Sequence, residues 1–204
     1  MSYLSLLGLI SQILVVLISV FFYKKYKSKF SKMLCVVLII NLISELMGVY
    51  CKYAEINSFN IYYLYTGVVF IIISVMYTTI LEKTIWLIFL KLLSFVFLVY
   101  WGCVFVNKEL FTYLIIFGSI NTSLFVFLYL KELLQSNEII NYKKLLPFWV
   151  SVGFLAFYLP SIPFFTMYRY MENRGLFFIL NILIILMNIF ITYGLLCSTK
   201  EEKY

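Results

Sequence analysis

The chain has 204 residues, of which 64% are hydrophobic, 21% aromatic and only 12% charged. A soluble domain of this size could not hide so much apolar surface from water, so the composition points to an integral membrane protein. The net charge of +7 sits on lysines beside the apolar runs, where they orient a membrane protein and meet anionic lipid, which argues against direct nucleic-acid binding. Histidine and aspartate are both absent, which removes imidazole bases, His-rich metal sites and paired-aspartate catalysis.

Apolar runs of about twenty residues, enough to cross roughly 30 Å of hydrocarbon as helix, recur along the whole chain. They predict seven spans. The first is 3–23, followed at once by the basic run KKYKSKFSK from Lys24 to Lys32. The basic residues follow the apolar stretch instead of preceding it, so this reads as a retained helix and not a cleaved leader. The second to seventh spans are 33–51, 61–80, 85–103, 111–130, 145–166 and 176–197. Pro147, Pro160 and Pro163 fall in the sixth, where Pro160 and Pro163 predict a bend or break near one end. The connections are too short for a soluble domain, so residues 1–204 form one transmembrane domain and any soluble partner must be another chain. A plan of three helices, one linker helix and three more is compatible with seven spans.

Lys and Arg outside the spans set the expected orientation. Lys24, Lys25, Lys27, Lys29, Lys32, Lys83, Lys131, Lys143, Lys144, Lys200 and Lys203 fall on one side, and Lys52, Lys108, Arg169 and Arg174 on the other. Eleven against four predicts the N-terminus outside and the C-terminus in the cytoplasm. The fold class is therefore all-α: a polytopic seven-transmembrane-helix bundle, expected in a bacterial inner membrane.

Inside the spans polar groups are few. Glu45 lies in the second span four residues after Asn41, and on a helix the two share a face. A carboxyl at that depth is costly in hydrocarbon and is expected to face other helices or a wet cavity. At about 1.5 Å per residue, Glu45 lies roughly 10 Å below the outer end of its span, and Gln12 and Tyr158 reach a similar depth. Tyr65 and Asn181 sit somewhat nearer the outside. Together Gln12, Asn41, Glu45, Tyr65, Tyr158 and Asn181 are the candidate ligand-binding residues, in one outward polar layer. The same groups could instead be interhelical hydrogen-bond partners contributing about 0.6 kcal/mol each. Asn121 and Asn188 fall nearer the midplane. Lys91 is the other charge within a span, able to extend towards the inner interface, and a pair with Glu45 would have to bridge roughly 9 Å of depth.

No C-x-x-C spacing exists among the four cysteines, so no metal or redox motif is expected. Cys51 and Cys103 both end spans on the outer side, where a disulfide and simple apolar filler are both open. Gly118, Ser119, Thr122 and Ser123 place small residues at helical spacing on the fifth span, which predicts close packing against a neighbour.

The segments LLPFWVSVGFLAFY (Leu145 to Tyr158) and ISELMGVYCKY (Ile43 to Tyr53) resemble small uncharacterised seven-helix membrane proteins of Bacteroidetes-type bacteria. By size and hydropathy the chain is also similar to the multi-spanning accessory proteins of RNA-targeting CRISPR loci. The resemblances imply a seven-span plan and no particular reaction. The expected function is a non-enzymatic membrane sensor or regulator, with a pocket around Glu45 for a small or lipidic ligand, acting on a cytoplasmic or membrane protein partner. No cofactor or metal is expected, and an oligomer stays open. The alternatives are a small proton-coupled transporter and, disfavoured by the missing His and Asp, a membrane-embedded lipid-modifying enzyme.

Overall fold

The computed structural model describes residues 3–26, 28–167 and 177–198. It is all-α, with no strand among the described residues: α1 (Tyr3–Tyr26), α2 (Lys29–Tyr53), α3 (Phe59–Thr78), α4 (Thr84–Val106), α5 (Phe111–Leu134), α6 (Leu146–Met167) and α7 (Phe177–Cys197), with short 3-10 turns at Lys108–Leu110 and Asn137–Lys144. All seven helices are long and apolar enough to cross a membrane. At 20 to 25 residues each, their lengths come to roughly 30–38 Å.

Six of them close a ring in the order α1–α2–α3–α5–α6–α7, and α4 stands outside it, packed on α3 and α5. Large and small residues alternate along the seam between α3 and α4. Tyr63 Oη donates to the Trp101 carbonyl at 3.0 Å and Trp101 Nε1 donates to the Tyr63 carbonyl at 3.1 Å, with the two rings stacked 5.1 Å apart. One turn on, Gly67 lies against the Trp101 ring, where any Cβ would collide. Phe70 then stacks on Phe97 at 3.7 Å, and Ser74 Oγ meets Ser94 Oγ at 2.5 Å.

On the other side of the ring α1 and α7 run in the same direction. Asn188 Nδ2 donates to Ser11 Oγ at 2.9 Å, and at the far end the Tyr26 hydroxyl reaches the carbonyls of Leu195 (2.9 Å) and Ser198 (2.7 Å). Lys25 Nζ adds a bond to the Ser198 carbonyl at 2.9 Å. These contacts satisfy carbonyls that a helix leaves open at its C-terminus. They also explain why α1 continues to Tyr26, three residues past the apolar run.

The end of the ring that carries Lys25, Lys29, Lys32, Lys83, Lys131, Lys143 and Lys144 is closed by a packed core. Phe30, Leu34, Met76, Tyr77, Phe125, Leu133, Leu146, Val150, Ile191 and Leu195 are all buried there. Tyr77 Oη and Ser151 Oγ lie 2.9 Å apart across the ring, joining α3 to α6. At the same end the buried Glu132 of α5 accepts the backbone N–H of Glu82 (3.2 Å) and of Lys83 (2.7 Å), so its carboxylate sits at the entry to α4. A negative charge at a helix N-terminus is favoured by the helix dipole.

One expectation is corrected and one open alternative is closed. The sixth span does not break: α6 is continuous from Leu146 to Met167 through Pro160 and Pro163. Both prolines are exposed, so their rings point away from the packed interior. Ser161 Oγ bonds the Tyr158 carbonyl (2.8 Å) and Thr166 Oγ1 the Ile162 carbonyl (2.8 Å), which adds hydrogen bonds in the turns the prolines weaken. Cys51 and Cys103 are free thiols, one buried on α2 and the other exposed on the outlying α4. The small residues of α5 do pack closely: Gly118, Ser119, Asn121, Thr122 and Ser123 are all buried, and Gly118 lies against Phe97 and Phe70.

Candidate functional site

A cavity of about 80 Å³ lies inside the ring in the half opposite the lysines, lined by Gln12, Asn41, Ser44, Glu45, Tyr62, Tyr65, Phe154, Phe157, Tyr158, Ile184 and Met187. That volume has room for a few water molecules and falls well short of the roughly 300–1,000 Å³ of a drug-sized pocket. Counted from the helix ends, its lining residues lie roughly 5–20 Å deep. Five helices contribute, α1 through Gln12 alone and the other four through residues three or four apart, which is how a helix presents one face to a central space.

Helix α2 supplies Asn41, Ser44 and Glu45, α3 supplies Tyr62 and Tyr65, and α6 supplies Phe154, Phe157 and Tyr158. Gln12 comes from α1, and Ile184 and Met187 from α7. Gly48 lets α2 and α3 approach at this level, since a Cβ there would run into the Tyr62 hydroxyl. The aromatic wall is continuous on α6, where the Phe154 and Phe157 rings pack edge-on against Tyr158 at 5.9 and 5.1 Å.

The polar groups of the cavity are under-bonded. Gln12 is only 8% exposed, yet among the described residues neither its Oε1 nor the buried Asn41 Oδ1 has a hydrogen-bond partner. Glu45 is half-buried, and among the described residues no hydrogen bond or ion pair reaches its carboxyl; its electrostatic neighbours are the phenols of Tyr62 and Tyr65. A buried acceptor without a donor costs on the order of 1–3 kcal/mol, so such groups call for a ligand, a water or a proton. No Lys or Arg lines the space. Lys91 is exposed on α4, which packs on α3 and α5, so the pair with Glu45 does not form.

Five of the six candidate residues, Gln12, Asn41, Glu45, Tyr65 and Tyr158, line this one cavity. Asn181 does not. Its Oδ1 lies towards Gly8, at 3.7 Å from where a Cβ would stand, and its Nδ2 bonds the Phe177 carbonyl one turn back at 3.5 Å. It belongs to the contact between α1 and α7, and Ile184 and Met187 take α7's place in the wall. Asn188 serves the same contact through Ser11, and Asn121 is buried on α5 away from the cavity. Ser44, Tyr62, Phe154 and Phe157 were missed by the sequence reading. The signal that could have found them is helical spacing, since they stand three or four residues from Asn41, Tyr65 and Tyr158, or next to one of them.

Chemically, the arrangement can bind through oxygen acceptors and aromatic surface, and can exchange a proton at Glu45. Ser44 and Glu45 adjoin on one helix, with no imidazole in the chain to serve as a base. Comparison with family models, curated proteins and solved structures finds no match.

Proposed function

We propose that this chain is a non-enzymatic sensor or regulatory protein of a bacterial inner membrane, with its N-terminus outside and its cavity opening to that side. A small ligand held at Glu45, Gln12 and Asn41 biases the packing of the ring, and helix shifts carry occupancy to a partner protein at the lysine-rich end. The observation that carries this reading is the pairing of under-bonded acceptors in one half with a closed apolar core in the other. A transporter needs a polar route to both faces, and below the cavity the ring is filled by Leu34, Met76, Tyr77, Val150 and Ile191.

The second reading, a small proton-coupled transporter using Glu45, draws on the position of α4. A helix outside the ring divides the rest into α1–α3 and α5–α7, the plan of two parallel three-helix repeats joined by a linker.

One experiment separates the two. Ser44→Cys, in a protein whose four native cysteines are replaced by alanine, is treated with a membrane-impermeant thiosulfonate from either face of sealed vesicles. The sensor predicts labelling from the N-terminal face alone and no solute uptake into proteoliposomes. Labelling from both faces together with Glu45-dependent uptake overturns the sensor and supports the transporter.

A further inference from the structure

We infer that the cavity takes a small organic ammonium ion, held by the Glu45 carboxylate and the Gln12 and Asn41 carbonyls within an aromatic wall of Tyr62, Tyr65, Phe154, Phe157 and Tyr158. This names the ligand class for the pocket proposed above and rests on that reading. Three features converge on it.

The first is the sign of the wall. Two carbonyl oxygens without donors and a carboxyl without a cation face a space that no Lys or Arg lines. No cationic side chain is there to pair with an anion, whereas N–H groups of a protonated amine supply the donors that Gln12 Oε1 and Asn41 Oδ1 lack. The second is aromatic content: five of the eleven lining residues are Tyr or Phe, drawn from α3 and α6 on different sides of Glu45. Ammonium and alkylammonium ions are attracted to aromatic faces, most strongly where water is displaced, and shed their hydration more readily than sodium. Affinity for hard divalent cations depends on the number of charged ligands, and this wall presents a single carboxylate. The third is size. A cavity of about 80 Å³ is on the scale of a single small alkylammonium ion.

The test uses the purified full chain in detergent, with thermal unfolding followed against tetramethylammonium and methylammonium, and against sodium, acetate and the neutral isostere tert-butanol. Saturable stabilisation by the ammonium ions alone is expected, with apparent Kd raised at least tenfold in Glu45→Gln. Tyr158→Phe, which keeps the ring, should bind within about threefold of the parent, while Tyr158→Leu should weaken binding at least threefold. Equal saturation by tert-butanol, sodium or acetate overturns the ligand class, as does tetramethylammonium binding that Glu45→Gln leaves unchanged. Absence of saturable binding by every probe also overturns it. One-sided labelling of Ser44→Cys then shows that the pocket survives without this ligand, and failure to label from the N-terminal face takes the pocket reading down as well.

Discussion

The two halves of the ring are built from the same composition and differ in what their buried polar groups meet. Towards the lysine-bearing end Tyr77 finds Ser151, Tyr26 finds the end of α7 and Glu132 finds two backbone amides, while Trp86 Nε1 and Ser198 Oγ stay unbonded without converging on a shared space. Towards the other end Gln12, Asn41 and Glu45 converge on a cavity and leave acceptors without donors. The difference separates a half that mainly fixes the packing from a half that holds the candidate binding groups. A half whose polar groups are bonded tolerates little change, and a half that holds unbonded acceptors gives up stability at a place where a ligand can restore it.

Mutations can break or sharpen that contrast. The largest effect is expected from Leu34→Ala in the packed half, where the side chain is fully buried and its removal leaves a cavity worth about 3 kcal/mol. Reversible unfolding in micelles should show it, and a loss below ~1 kcal/mol would mean the packed half is looser than its burial implies. Glu132→Ala should cost about 1–2 kcal/mol, the scale of a lost helix cap, discounted because the donating amides of Glu82 and Lys83 lie on exposed residues. Hydrogen exchange at Glu82 and Lys83 reads this locally, and unchanged protection there would remove Glu132 from the account. Tyr77→Phe deletes one interhelical hydrogen bond and should cost about 0.6–1.7 kcal/mol, the measured range for such bonds in membranes. The smallest effect carries the opposite sign. Asn41→Leu removes an unpartnered acceptor and should be neutral or stabilising by up to ~1 kcal/mol. If Asn41→Leu instead destabilises as much as Tyr77→Phe, the two halves do not differ in the way described.

The spans themselves were legible from sequence because hydrocarbon thickness sets their length. Their ends were less so. α2 starts at Lys29, four residues before the apolar run, because Ser28 Oγ accepts the Ser31 N–H at 3.0 Å and charged residues continue the helix past what hydropathy counts. Depth was legible too, by adding 1.5 Å per residue, and it brought Gln12, Glu45 and Tyr158 to one level. Rotation about each helix axis was not, which is why Asn181 was placed in the layer when it turns to α1. The outlying position of α4 was equally hidden. Its sequence is as apolar as its neighbours', and what excludes it from the ring is the fit of Trp101 over Gly67 and Phe97 on Phe70, a match of shapes between segments thirty residues apart that no single segment encodes.

The carboxylate at the entry to α4 has a consequence for how the chain is made. Glu132 lies 49 residues beyond Lys83, whose amide it accepts. At ~5–20 residues per second, a ribosome delivers it roughly 2–10 s after the segment it completes. For that interval the two backbone donors ahead of α4 have no carboxylate to bond, so the turn between α3 and α4 is completed only when α5 joins. A chain stalled before Glu132 should therefore leave the Glu82 and Lys83 amides open to exchange while the Tyr63–Trp101 and Phe70–Phe97 contacts can already form.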